Sequence, residues 1–264
     1  GTVNRNLPSF MVLAPAAPYA GAQTWGSDFL PGCHQGTHVI PGKDPLPNLQ
    51  PRVASLELQQ MELDLLGKFN RPHLEKRAAD QGLNARVRSF ETAFGMQREA
   101  PAAFDLSGET EETLKLYGLD RGATSGFGWQ CLVARRLAER GVRFLELIDV
   151  GSDSGQNWDS HGNMGDHERL AKAADRPIAA LLTDLKRRGM LDSTLVVMMG
   201  EMGRTPRVNA QAGRDHWSMA QCILFAGGGV KPGQIIGSTD AQAAYPTSDP
   251  VSVADLLRTI HTLL

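Results

Sequence analysis

Residues 194–201 read Thr-Leu-Val-Val-Met-Met-Gly-Glu. The run to Met199 is unbroken and, after Thr194, apolar. Such a run suits a strand covered on both faces, as in a parallel sheet. The residues that follow change abruptly to Glu201, Arg204, Arg207, Arg214, Asp215 and His216. Polar groups just past the C-terminal end of a buried strand stand where open α/β sheets bind ligands.

From residue 126 onward the pattern alternates. A helix is predicted over 127–140, closed by Gly141 as its C′ residue. A strand over 142–150 and a loop over 151–167 come next. A long helix over 166–188 carries Leu170, Ala174, Ile178, Leu181, Leu182 and Leu185 on one face and is closed by Gly189. After the strand at 194–200 another strand starts at Ala220, and a last helix starts near Ser252. Strand–helix–strand alternation implies a mostly parallel sheet with helices on its faces. Upstream, Phe10-Met11-Val12-Leu13 reads as a strand, and residues 32–51 read as a long loop. Val53, Leu56, Met61, Leu65 and Phe69 have helical spacing. A second helix is expected after the Asn-Arg-Pro-His at 70–73, running on to about Met96, and a short one within 108–118. The segment 52–125 is therefore read as a helical insertion or cap within a single domain spanning 1–264.

The bulk properties exclude some functions. A chain of 264 residues is ample for a real core. The formal net charge of −2 gives no field that would favour nucleic acid or an anionic membrane. No apolar stretch is long enough to span a bilayer. Cys33, Cys131 and Cys222 form neither a CxxC pair nor a disulfide framework. Cys131 and Cys222 lie in apolar segments and are expected to be buried core thiols.

Two polar clusters follow predicted strands. One is Asn157-Trp158-Asp159-Ser160-His161, with His167 beyond it; the other runs from Glu201 to His216. In a parallel sheet the loops after successive strands emerge at the same edge, so the clusters can meet. Their carboxylates and imidazoles suit Zn²⁺ or Mn²⁺ better than Ca²⁺, which prefers oxygen alone. Glu201 is the most telling residue, since a carboxylate directly after an apolar strand is costly to bury without a cation. Each residue also has a plainer reading: Asp159 as a turn or cap, His161 and His167 as loop residues, Glu201 paired with Arg204, Asp215 paired with Arg214. Residues 226–233 lack the Gly-Lys-Ser/Thr of a nucleotide-binding loop and read as a turn. Cys131-Leu-Val-Ala-Arg135 approaches a sulfatase signature, but Val133 breaks it and core packing explains it better. No Gly-x-Ser-x-Gly elbow is present.

Several longer stretches, in order, resemble the domain-of-unknown-function 1501 family: residues 131–147, 157–167, 178–207, 213–217 and 225–240, with looser similarity at 7–15 and 94–118. That family resembles the alkaline phosphatase and sulfatase superfamily. The resemblance implies a three-layer α/β/α sandwich with metal at the C-terminal edge of its sheet. It implies a metal-dependent hydrolase of phosphate or sulfate esters, acting on a small-molecule or glycan ester. Asp159, His161, Glu201 and His216 match its metal ligands. Arg204 and Arg214 match positions near a bound anion, suited to bidentate contacts, and Asp215 can hold an imidazole tautomer. An extracytoplasmic location is also implied. The segment carrying the first sheet strand, an early metal-binding Asp and the nucleophile has no match here. The chain is therefore read as a C-terminal part, incomplete at its N-terminus. The alternative is a non-catalytic relative that binds sulfated or phosphorylated glycans.

Overall fold

Phe10–Leu13 forms β1, and Met11, Val12 and Leu13 are fully buried. The structure is a computed structural model and describes residues 4–50, 53, 55–150 and 157–264. It divides into two compact units, Gly1–Gly155 and Gln156–Leu264. The first part of the loop expected over 151–167, and the start of the segment expected over 52–125, lie outside the described residues.

In the first unit β1 is the middle strand of a three-stranded parallel sheet, between β2 (Thr37–Val39) and β3 (Phe144–Leu147). Its successive residues Met11, Val12 and Leu13 point to opposite faces and are all buried, so both faces are covered, which is why its sequence is continuously apolar. β2 lies inside the segment read as a loop. Its three residues are too short to show a period against the surrounding Gly and Pro. Val12, Ala14 and Trp25 make a core cluster with Phe10 and Ile148 packed on it.

Helices α1 (Leu56–Glu75), α2 (Gln81–Phe104), α3 (Glu111–Leu116) and α4 (Phe127–Glu139) connect β2 to β3. The break between α1 and α2 falls later than expected. Pro72 is accommodated inside α1, and Asp80 starts α2 by accepting the Leu83 N–H at 2.9 Å. The apolar spacing of α1 does not mark a core face, because α1 has no buried residue and Phe69 is 73% exposed. α4 is the buried helix of this unit: Trp129, Leu132, Val133 and Leu137 are covered, and Trp129 stacks on Phe104 at 6.2 Å. Gly141 ends it at φ 83°, the left-handed conformation expected of its C′ residue.

A buried ion network ties α4 to the turn before α3. Arg135 donates to Glu109 at 2.8 Å and to Glu139 at 2.7 Å, and Arg136 also donates to Glu109. Burial opposes the charge on Glu109, but the two guanidiniums outweigh it and hold its pKa below the ordinary 4.5. Cys131 is buried in α4, and burial pushes its thiol up to about 12. Cys222, expected to be buried as well, is exposed.

The second unit contains α5 (Asp166–Arg187), β4 (Val196–Met198), β5 (Gly203–Arg204), β6 (His216–Trp217), β7 (Leu224–Ala226), β8 (Ser238–Thr239), β9 (Pro246–Ser248) and α6 (Val253–Leu263). α5 buries Leu170, Ala174, Pro177, Ala180, Asp184 and Leu185 along one stripe. α6 begins with a capping box between Ser252 and Asp255. β4 departs from expectation in two ways. It pairs antiparallel with β7, and parallel pairing among the described residues is confined to β1, β2 and β3. It is also only partly covered, with Met198 and Met199 about half exposed. The pairing direction has a local cause. No helix lies between β4 and β7, whereas parallel neighbours need a long crossover. The molecule is thus α/β, with one small parallel sheet and separate antiparallel pairs. Among the described residues no helix is long and apolar enough to cross a membrane.

Candidate metal centre

β5 and β6 form a short antiparallel pair that sets Arg204 opposite His216. The segment 159–164 runs alongside the loop that joins them. Gly162 bridges Ala212, Asn163 N–H donates to Gln211 O at 3.0 Å, Met164 N–H to Ala212 O at 2.8 Å, and Arg214 N–H to Ser160 O at 3.3 Å. These main-chain bonds bring the two polar clusters together. Gly213 permits the approach, since a Cβ there would overlap the main chain of His161 and Gly162.

Three donor atoms meet at this seam. His216 Nε2 lies 3.0 Å from Asp159 Oδ1, His161 Nε2 lies 3.2 Å from the same oxygen, and the two ring nitrogens are 3.2 Å apart. The edges of a donor triangle around a cation at about 2.0–2.1 Å are roughly 2.9 Å for three neighbouring octahedral positions and roughly 3.3 Å for tetrahedral ones. The observed edges lie between these limits. A cation held by all three atoms would leave room for a further ligand on the exposed side of the triangle. The three side chains are about half exposed, at 50%, 48% and 48% for Asp159, His161 and His216, so that side is reachable. Two imidazoles and one carboxylate fit Zn²⁺ or Mn²⁺ and do not suit Ca²⁺. Among the described residues this is the one group of three or more His, Cys, Asp or Glu side chains with metal-ligand spacing.

The surrounding bonds orient the donors. His161 Nδ1 lies 2.9 Å from Asp215 Oδ1. His161, and after it Asn209, hold the Asp215 carboxyl below its ordinary value, so Asp215 is an acceptor and Nδ1 carries the proton. A neutral His161 ring then presents a bare Nε2 to the triangle. Burial opposes ionisation of Asp159, but hydrogen bonds from His216 and Arg204 and the Arg204 charge outweigh it, and its pKa falls from 3.8 to about 2. Asp159 therefore offers a charged oxygen at any pH near neutrality.

Of the residues singled out in the sequence, the structure gathers Asp159, His161 and His216. Glu201 is not a member of the triangle. Its expected burial also fails: it is exposed, because β4 is not enclosed on both faces and ends before it. Arg204 is not a free anion donor. Its guanidinium donates to Asp159 Oδ1, to Arg214 O at 3.3 Å and to Trp158 O at 3.5 Å. Arg214 joins the seam through its main chain, and its side-chain Nε is buried with no partner among the described residues. His167 stands outside the triangle, donating to Trp158 O at 3.1 Å and stacking on the Trp158 ring at 5.8 Å. Asn209 was passed over in the sequence. Its side chain touches His161 O, Asp215 and the turn before Gly213, and the sequence signals for it are no more than Asn209 itself and Gly213 four residues on, both common in turns.

Fold and site together define an α/β protein with a preassembled Asp/His/His constellation able to hold a cation. The chain belongs to the family described as Protein of unknown function (DUF1501), whose model matches residues 1–264. No curated protein and no solved structure matches it.

Proposed function

We propose that this chain is a metal-dependent hydrolase of phosphate or sulfate esters, related to the alkaline phosphatase and sulfatase superfamily and built on that superfamily's three-layer sandwich. The observation that carries the reading is the triangle of Asp159 Oδ1, His161 Nε2 and His216 Nε2, with edges of 3.0–3.2 Å and an open, exposed side. A divalent ion held there would supply Lewis acidity toward an ester oxygen. Asp159 contributes the anionic ligand, and Arg204 keeps that carboxylate ionised and aimed. Asp215 fixes the His161 ring so that its Nε2 faces the cation. Arg214 is the guanidinium assigned to the transferred oxyanion, because Arg204 is committed to Asp159. Glu201, three residues beyond β4, is left without a ligand role in this reading.

That commitment of Arg204 also favours a second reading, a non-catalytic protein that binds sulfated or phosphorylated glycans. Turnover separates the two. The protein, loaded with Zn²⁺ or Mn²⁺, is expected to hydrolyse an aryl phosphate or an aryl sulfate, with activity lost on chelation and in His216→Ala. Metal uptake without turnover on either ester, together with retention of sulfated glycan, would exclude the hydrolase.

A further inference from the structure

We infer that Asn209 is the positioning residue of the candidate metal centre: its side-chain amide holds Asp215 and the His161 main chain in the arrangement that presents His161 Nε2 to a cation. This rests on the metal reading of the triangle.

The amide is fully used. Oδ1 accepts the Gln211 N–H and the Gly213 N–H, both at 3.0 Å. Nδ2 donates to His161 O at 2.9 Å and to the Asp215 carboxylate at 3.3 and 3.4 Å. Two lone pairs and two N–H groups exhaust what an asparagine side chain offers. The partners also fix which end is which. Two main-chain N–H groups need an acceptor, while a carbonyl and a carboxylate need a donor, so a flipped amide would break every bond. One end of Asn209 therefore shapes the turn that carries Gly213 into the seam. The other end spans from the main chain of His161 to the carboxylate on its ring. No other residue type of this size pairs two acceptances with two donations here. Aspartate keeps the accepting end and turns the donating end into an oxygen facing Asp215.

That difference gives the test. Asn209→Asp keeps the turn and loses the hold on Asp215 and His161, while Asn209→Ala loses both. The readouts are zinc affinity by calorimetry at about pH 8, where free imidazoles are neutral, and the His161 tautomer in metal-free protein by long-range proton–nitrogen NMR. The wild type is expected to show the Nδ1–H form. Both variants should bind zinc about 10- to 100-fold more weakly, and Asn209→Asp should show a mixed tautomer with an unchanged melting temperature. An added negative charge would by itself tighten a cation, so weaker binding in Asn209→Asp reports position rather than charge. Asn209→Asp with wild-type zinc affinity, or with weakened affinity and an unchanged tautomer, overturns the inference. Should the wild type take up no zinc, the metal reading fails separately. The tautomer then judges Asn209 alone, a mixed form supporting its hold on His161 and an unchanged one overturning it.

Discussion

His161 uses both ring nitrogens, Nδ1 toward Asp215 and Nε2 toward Asp159 and His216, and this division of labour suits the ring to the ligand role proposed for it. Asp215→Asn keeps the shape but can offer Nδ1 a donor, which reverses the preferred tautomer. Zinc affinity measured by competition with a chromophoric chelator should fall about 10- to 100-fold. Removing a donor of the triangle is more severe. Asp159→Ala should lower affinity roughly 100-fold or more in the same measurement, and by more than Glu201→Ala does. At this scale the sequence was informative about chemistry and misleading about burial. Asp159, His161, His216 and Asp215 stood out because acids and imidazoles are rare in such density. Glu201 stood out on the assumption that the strand before it is enclosed on both faces, whereas β4 is only partly covered. Asn209 acts only through hydrogen bonds, and a single sequence carries no periodicity or spacing that marks such a role.

The elements that assemble the triangle are the short β5–β6 pair and the segment 159–164 beside its loop. Two clusters meeting was a correct expectation with the wrong cause. It was derived from neighbouring parallel strands, and it arises from local antiparallel main-chain bonds around Gly213. The long helices α4 and α5 and the strand β1 were legible because their apolar patterns run for several turns or lie in one unbroken block. β2 and the β5–β6 pair were not, since two or three residues among Gly and Pro cannot show a period. The seam makes its own prediction. Gly213→Ala would drive a Cβ into the His161 main chain, so the loops must part. The variant should lose zinc binding to the extent of a ligand deletion, while far-ultraviolet circular dichroism shows the helix content unchanged.

Across the whole molecule the two units respond to different variables. In the first, the Glu109 pKa lies below the ordinary 4.5 in the folded chain. The stability from its ion pairs is present above that ordinary value and is lost as pH falls through the lowered folded value. Urea midpoints should therefore drop on acidification from about pH 6 to about pH 3, with a shallower drop in Glu109→Gln. Glu109→Ala leaves Arg135 and Arg136 without their shared carboxylate in a buried place, at a cost of about 3–5 kcal/mol in urea unfolding at neutral pH. The second unit should instead answer to metal. An ion that binds only the folded form stabilises it by about 2.7 kcal/mol at a hundredfold excess over its Kd, so its melting temperature should rise with zinc and not with calcium. The most direct test is zinc-edge X-ray absorption on protein loaded with one equivalent. Nitrogen and oxygen ligands at about 2.0–2.1 Å, with two imidazoles in the wild type and one in His216→Ala, are expected. A zinc environment with no imidazole signature, or one unchanged by His216→Ala, would contradict a cation held by Asp159, His161 and His216.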